Sequence, residues 1–253
     1  MALAVENVTK TFGGLTALRD VTLVLQPAEI HGLIGPNGSG KTTLLNLLSG
    51  YYAPTMGGIS IDGTPLTRSP VQARPRVGVA RTFQKPRILG TLTVLDNAML
   101  GGWPETRAGF LETALALGRP RREERELRAY AIEILEGLGL GHLAFQRANL
   151  LGHSEQRLLE IARGLVMRPR FILLDEPAGG LTNAEIEHLG DIVTTMRDAG
   201  MGVLLVEHHT DFVFKVSSMV TTLHFGQIIA HGTPEEVQSH SEVIRVYLGG
   251  DTL

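Results

Sequence analysis

Residues Gly35 to Thr43 read GPNGSGKTT and fit the spacing G-x-x-x-x-G-K-[ST]. The physical content of that spacing is a cradle for phosphate. Gly35, Gly38 and Gly40, with Asn37 and Ser39 between them, let successive backbone N–H groups converge on phosphate oxygens. The helix that must follow adds the positive partial charge of its N-terminus. Lys41 brings a full charge to the terminal phosphates, and the Thr42 hydroxyl, with Thr43 beside it, is suited to a Mg²⁺ ion. The apolar run His31–Ile34 predicts a strand leading in, and LLNLLSG predicts a helix leading out. These residues point to a nucleoside-triphosphate site, which kinases, GTPases, motors and transporter ATPases all share.

Further polar residues close apolar runs. FILLDEP, Phe171 to Pro177, ends in two carboxylates: Asp175 is placed to reach Mg²⁺ through water, and Glu176 to polarise an attacking water. General-base help of that kind is worth roughly 10²–10⁴-fold. Gln84 closes VGVARTFQ and His208 closes VLLVEHH, with His209 as the rival at that position. All are expected at the carboxyl edge of a sheet, where ligands bind in open α/β folds.

The elements that must position these groups alternate between short β-like runs and helical patterns, which predicts a parallel or mixed α/β sheet. Strands are expected at Leu3–Val8, Val21–Leu25, Ile30–Ile34, Gly58–Ile61, Val77–Phe83, Phe171–Leu174, Val203–Val206, Met219–His224 and Gln227–Ala230. From Thr93 to Met167 the pattern is helical, and the charge run RPRREERELR reads as the solvated face of a helix. Thr182 with Glu185, and Thr233 with Pro234 and Glu236, mark two helix starts.

Composition narrows the classes. The chain of 253 residues carries 23 Lys+Arg against 26 Asp+Glu, a formal net charge of −3, which argues against a nucleic-acid binder held by a basic surface. An apolar content of 43% predicts a well-packed globule. The absence of cysteine excludes disulfides, Cys-ligated zinc and thiol catalysis, and suits a reducing cytoplasm. The apolar runs are far shorter than the roughly 20 residues of a spanning helix, and MALAVENVTKTF does not read as a cleaved leader. A soluble protein is expected, one that could still dock onto a membrane partner.

Taken in order, the P-loop, Gln84, the helical insert, Asp175–Pro177 and His208 resemble the ATP-binding subunit of an ABC transporter, over nearly the whole chain. FGGLTAL (Phe12–Leu18), ARTFQ (Ala80–Gln84), LTVLDN (Leu92–Asn97), LLEIARGL (Leu158–Leu165) and VIRVYLG (Val243–Gly249) are similar to the ATPases of branched-chain amino acid importers. Relatives for urea, amides or aromatic acids share those phrases. The resemblance implies a P-loop ABC ATPase core, a mixed sheet flanked by helices, over residues 1–85 and 168–253, with a helical subdomain at 86–167 that docks on a permease. It implies Phe12 stacking on adenine, Thr42 and Gln84 near Mg²⁺, Asp175 as the outer metal carboxylate, Glu176 as the base and His208 at the γ-phosphate. The cofactors implied are ATP and Mg²⁺. The partners are a second ATPase subunit and membrane permease subunits, at the cytoplasmic face of the membrane.

The sequence departs from the family at the segment that such ATPases present to their dimer partner's ATP. By spacing, the LSGGQ-like signature falls at Leu151, Gly152, His153, Ser154 and Glu155. Gly152 removes a hydroxyl, Ser154 adds bulk, and Glu155 brings a negative charge toward a polyanion. At about 6 Å and an effective dielectric near 20, one such charge costs on the order of 2–3 kcal/mol before screening. Two readings stay open: a tolerated variant, or an impaired signature in one half of an asymmetric heterodimer. Beside the transport ATPase stand two other classes, a nucleotide-dependent binding switch with little hydrolysis and a soluble ABC ATPase outside transport.

Overall fold

The computed structural model describes residues 2–105 and 118–248. The chain divides into two compact units, Met1–Arg81 with Arg170–Leu253, and Thr82–Pro169. The first holds two sheets. In the antiparallel one, β1 (Leu3–Phe12) lies between β2 (Leu15–Leu25) and β4 (Met56–Ile61), with the short β5 (Thr64–Pro65) at the edge. The six-stranded sheet has the order β10-β9-β3-β8-β7-β6. Its strands are β3 (Ile30–Ile34), β6 (Val79–Arg81), β7 (Phe171–Asp175), β8 (Gly202–Val206), β9 (Met219–His224) and β10 (Gln227–Gly232). Only the β9–β10 hairpin in it is antiparallel.

Every residue of β3, β7 and β8 is buried, so these strands are continuous apolar runs rather than alternating ones. The helix α1 (Lys41–Leu48) sets Leu44, Leu45, Leu47 and Leu48 into one core with Val5, Leu23 and Ile59 of the antiparallel sheet and Leu33, Leu173 and Leu204 of the six-stranded one. The phosphate loop at the start of α1 is therefore anchored by both sheets.

Ile30–Ile34 and Met219–His224 form strands with the bounds expected from their pattern. The run Val77–Phe83 does not. Val77 ends a 3₁₀ turn closed by Gly78 at φ 79°, and the strand is only Val79–Arg81. Gln84 consequently lies beyond the strand rather than at its end. The two compact units adjoin along the chain at 81/82 and 169/170. Arg170 and Phe171 both donate backbone N–H groups to Gly78 O, at 2.8 and 2.9 Å, which ties them to the β6 side. Both expected capping boxes are present: Thr182 starts α5 (Asn183–Asp198) and Thr233 starts α7 (Pro234–Ser239). The remaining helices of this unit are α6 (Thr210–Val216) and α8 (Ser241–Leu248).

The second unit contains α2 (Val94–Met99), α3 (Gly118–Gly137) and α4 (His153–Val166). Thr93 caps α2 by accepting from Asp96 N at 3.0 Å. In the charge run, Arg122 pairs with Glu126 at 2.8 Å on an exposed face, as a solvated helix surface requires; the side chains of residues 118–121 lie outside the described set. Among the described residues no helix is long and apolar enough to cross a membrane.

The phrases LTVLDN and LLEIARGL meet in a buried polar network. Asn97, fully buried, accepts from Leu89 N at 2.9 Å and donates to Leu89 O and Thr93 O. Arg163 donates to Arg87 O at 2.7 Å, and Glu160 accepts from Phe83 N at 3.0 Å. Together they hold the stretch after β6 against α2 and α4. Burial pushes the Glu160 carboxyl up to about 7, against the pull of the Phe83 N–H and of Arg163 and Arg157. A carboxyl raised in the fold stabilises it at low pH and loses that contribution as pH rises through the raised value. Replacing Glu160 by Gln removes the titration. From pH 5 to pH 8 the stability difference should shift in favour of Glu160→Gln by up to about 3 kcal/mol, read by urea denaturation. Parallel pH profiles for the two proteins would show that Glu160 ionises at its ordinary value.

Candidate functional site

The phosphate loop begins where β3 ends. Gly35 takes φ 149°, and a Cβ there would sit 2.2 Å from Leu223 O, so only glycine fits. At Gly40, with φ 111°, a Cβ would lie 2.7 Å from Leu18 Cδ2 and 2.9 Å from Ala17 O. Helix α1 starts at Lys41 without a side-chain cap on its first N–H groups. The Ser39 hydroxyl is buried and has no hydrogen-bond partner among the described residues. Lys41 is 6% exposed, and its Nζ donates to Gly35 O at 2.6 Å and Pro36 O at 3.0 Å. Burial holds its pKa below the usual value, while Glu176, Asp175 and Glu207 pull it upward. Uncapped N–H groups, an unpartnered hydroxyl and a buried ammonium converge on one place, and an oligophosphate satisfies all three.

A cleft of about 430 Å³ joins this loop to other candidate residues. It is lined by Phe12, Leu15 and Phe225, by Asn37 through Thr43, and by Glu176. Phe12 is 41% exposed and is braced edge-on by Tyr52, with ring centroids 5.2 Å apart. Glu176 takes φ 49°, uncommon for a residue with a side chain, as its N–H donates to Val206 O at 2.9 Å.

Asp175 sits behind the cleft, 6% exposed. Arg81, the last residue of β6, reaches it at 3.0 Å and also donates to Asn46 Oδ1 at 2.7 Å and Ser49 Oγ at 2.8 Å near the end of α1. One guanidinium thus ties β6, β7 and α1 together. Burial raises the Asp175 pKa, and Arg81 opposes the rise.

His208 does not line the P-loop cleft. It borders a separate groove of about 840 Å³ with His209 and residues of α5 and α6. Its backbone N–H donates to Glu207 Oε2 at 3.2 Å. Glu207, fully buried, also accepts from Ala178 N at 2.6 Å, joining the segment after Glu176 to the start of the His208 segment. Burial pushes its carboxyl up. The sequence reading passed over both Glu207 and Arg81; the available signal was a charged residue closing or following an otherwise apolar strand.

Gln84 and the 151–155 segment belong to the second unit. Gln84 is exposed. Gly152 is the N-cap of α4 and His153 its first residue, with Ser154 following. Glu155 turns back, and its Oε2 accepts from Gly152 N at 2.7 Å. Its carboxylate therefore occupies the helix N-terminus, the position an anion from outside would favour.

Comparison with known proteins places these features in a family. The model described as "ABC transporter" matches residues 18–179, and that described as "Branched-chain amino acid ATP-binding cassette transporter" matches residues 227–252. The chain is 38% identical over 248 residues to the high-affinity branched-chain amino acid transport ATP-binding protein BraF of Pseudomonas aeruginosa, covering 98% of this chain and 97% of that one. It is equally identical, with the same coverage, to the corresponding protein LivG of Escherichia coli K12. Among solved structures, a nucleotide-free ATP-binding cassette from an ABC transporter superposes with a TM-score of 0.85 at 30% identity, over 98% of this chain and 99% of that one. A bacterial ABC transporter cassette solved as a dimer gives 0.78 at 27% identity, over 92% and 98%.

The buried Arg81–Asp175 pair yields a stability test. Both side chains are less than a tenth exposed, at 7% and 8%. Arg81→Met leaves Asp175 without this cation and should cost about 3 kcal/mol or more. Combined with Asp175→Asn, the loss should fall short of the sum by at least about 1 kcal/mol, measured by denaturation of all four proteins. Strict additivity would show that the pair contributes nothing jointly.

Proposed function

We propose, because the chain belongs to the ABC transporter family of ATP-binding subunits, that it binds MgATP and hydrolyses it to power import of a small polar solute, a branched-chain amino acid. The observation that carries this reading is the cleft in which Phe12, the whole P-loop from Asn37 to Thr43 and Glu176 meet. In it the backbone of Gly35–Thr43 holds the phosphates, Lys41 turns from its own loop carbonyls to the terminal ones, and Phe12 lies against the base. The Thr42 hydroxyl and the Gln84 side chain would hold Mg²⁺, with Asp175 acting through water; these are oxygen donors of the kind that cation prefers. The metal, when bound, neutralises charge on the β- and γ-phosphates. Glu176 orients and polarises the attacking water; His208, which borders the neighbouring groove, would reach the γ-phosphate only by moving toward the cleft.

The chain acts as one of a pair of cassettes attached to membrane permease subunits, on the cytoplasmic face of the membrane. Residues 82–169 supply the docking unit, and closure of the pair on ATP is what the permease reads through Gln84. Glu176→Gln should lower hydrolysis by about 10²-fold or more while leaving ATP bound, measured by turnover and by nucleotide titration. Hydrolysis at the wild-type rate would remove Glu176 from the reaction.

A second reading concerns the partner, and the Glu155 carboxylate on the α4 N-terminus favours it. A helix end that already carries a side-chain anion is a poor receptor for a γ-phosphate. This chain's own P-loop, Glu176 and His208 then form the competent site with the signature of a different ATPase subunit, while the opposite site hydrolyses slowly. Changing Gly152→Ser, Ser154→Gly and Glu155→Gln together should raise turnover of the assembled transporter. No gain would return the pair to symmetry.

A further inference from the structure

The cleft contains a second aromatic ring that the proposed chemistry has not used. Phe225 is 81% exposed and lines the same cleft as Phe12 and the P-loop. It occupies the two-residue turn between β9 and β10, where His224 pairs with Gln227 and leaves Phe225 and Gly226 at the tip. Both take positive φ, 45° and 77°. In such a hairpin the first position suits Asn, Asp or Gly, and a bulky side chain there is strained. Burial does not compensate Phe225, since its close ring contact is with His224, at 4.2 Å between centroids.

The turn is also rigidly placed. Gly226 N donates to Ser39 O at 2.9 Å, and Arg19 N donates to Gly226 O at 2.8 Å. The tip is therefore hydrogen-bonded to the phosphate loop on one side and to β2 on the other. A residue that is costly in its backbone conformation, exposed, and pinned beside a ligand cleft has its purpose in what enters the cleft. We propose that Phe225 is a nucleoside-contacting residue: its ring packs on the base or ribose of the nucleotide whose phosphates lie on Asn37–Thr43.

This assignment rests on the ATP-binding reading above and adds to it a contact made by this chain's own β9–β10 turn. Phe12 provides one aromatic surface and Phe225 a second, and exposed Leu15 adds an apolar side chain to the lining of the same cleft. Stacking on a π-face tolerates any base, so the gain is in affinity more than in choice of base.

The test is calorimetric titration of the full chain with ADP and, separately, with inorganic pyrophosphate, for wild type, Phe225→Asn and Phe225→Tyr. Asn suits the turn, so the nucleotide-free thermal midpoint of Phe225→Asn should not fall. Its ADP affinity should drop about tenfold. Pyrophosphate affinity should be unchanged, and Phe225→Tyr should retain ADP binding. Wild-type ADP affinity in Phe225→Asn, or an equal loss for ADP and pyrophosphate, would overturn the proposal; equal loss would mean that the turn acts only by holding Ser39. A change confined to self-association would overturn it in favour of a second copy as the occupant. If wild type itself binds no ADP, the ATP-binding reading fails, and this one with it.

Discussion

Lys41 is an ammonium group nearly buried in a protein core, and the rest of the α/β unit is arranged around that fact. Burial disfavours its charge and lowers its pKa, and three carboxylates, Glu176, Asp175 and Glu207, oppose that shift. Those carboxylates are costly to bury in turn. Arg81 answers for Asp175, and the backbone N–H groups of Ala178 and His208 answer for Glu207. What results is a set of mutually dependent charges at the ends of β6, β7 and β8.

The mechanical side follows from the same placement. Helix α1 carries the phosphate loop at one end, and its leucines share a core with both sheets. Arg81 grips the other end of α1 through Asn46 and Ser49 while holding Asp175. From Arg81 the chain passes directly into the 83–89 stretch, which Glu160, Arg163 and Asn97 hold within the second unit. The covalent path from Arg81, the partner of Asp175, to the helical unit is thus a few residues long. Arg81 is both the counter-ion of Asp175 and the last residue before the second unit begins.

Much of this was legible in residue types and spacing. The P-loop, the Asp175–Glu176 pair and two capping boxes depend on local patterns, and their local structure follows them. β3 and β9 were readable for the same reason, since their apolar runs are bounded by sharp changes in character. The extent of β6 was not readable. VGVARTF looks like a strand throughout, but Gly78 turns the chain before it and the polar network on Phe83 draws it away after Arg81. Arg81 and Glu207 were missed because a charge at the end of an apolar run looks like an edge; only its burial shows that it is a counter-ion.

The sequence by itself determined the phosphate-loop pattern at Gly35–Thr43 and its local structure, because the loop is built from consecutive residues whose backbone freedom and charge are properties of their types. It also determined the family, through several phrases in a definite order. Tertiary structure decided everything that requires residues distant in the chain to share a space. It set Phe12 and Phe225 on one cleft, paired Arg81 with Asp175, buried Glu207, and turned the Glu155 carboxylate onto its own helix end. Electrostatic and packing terms fall off within a few ångströms, so such relations exist only once the chain has folded, and no spacing along the sequence encodes those distances.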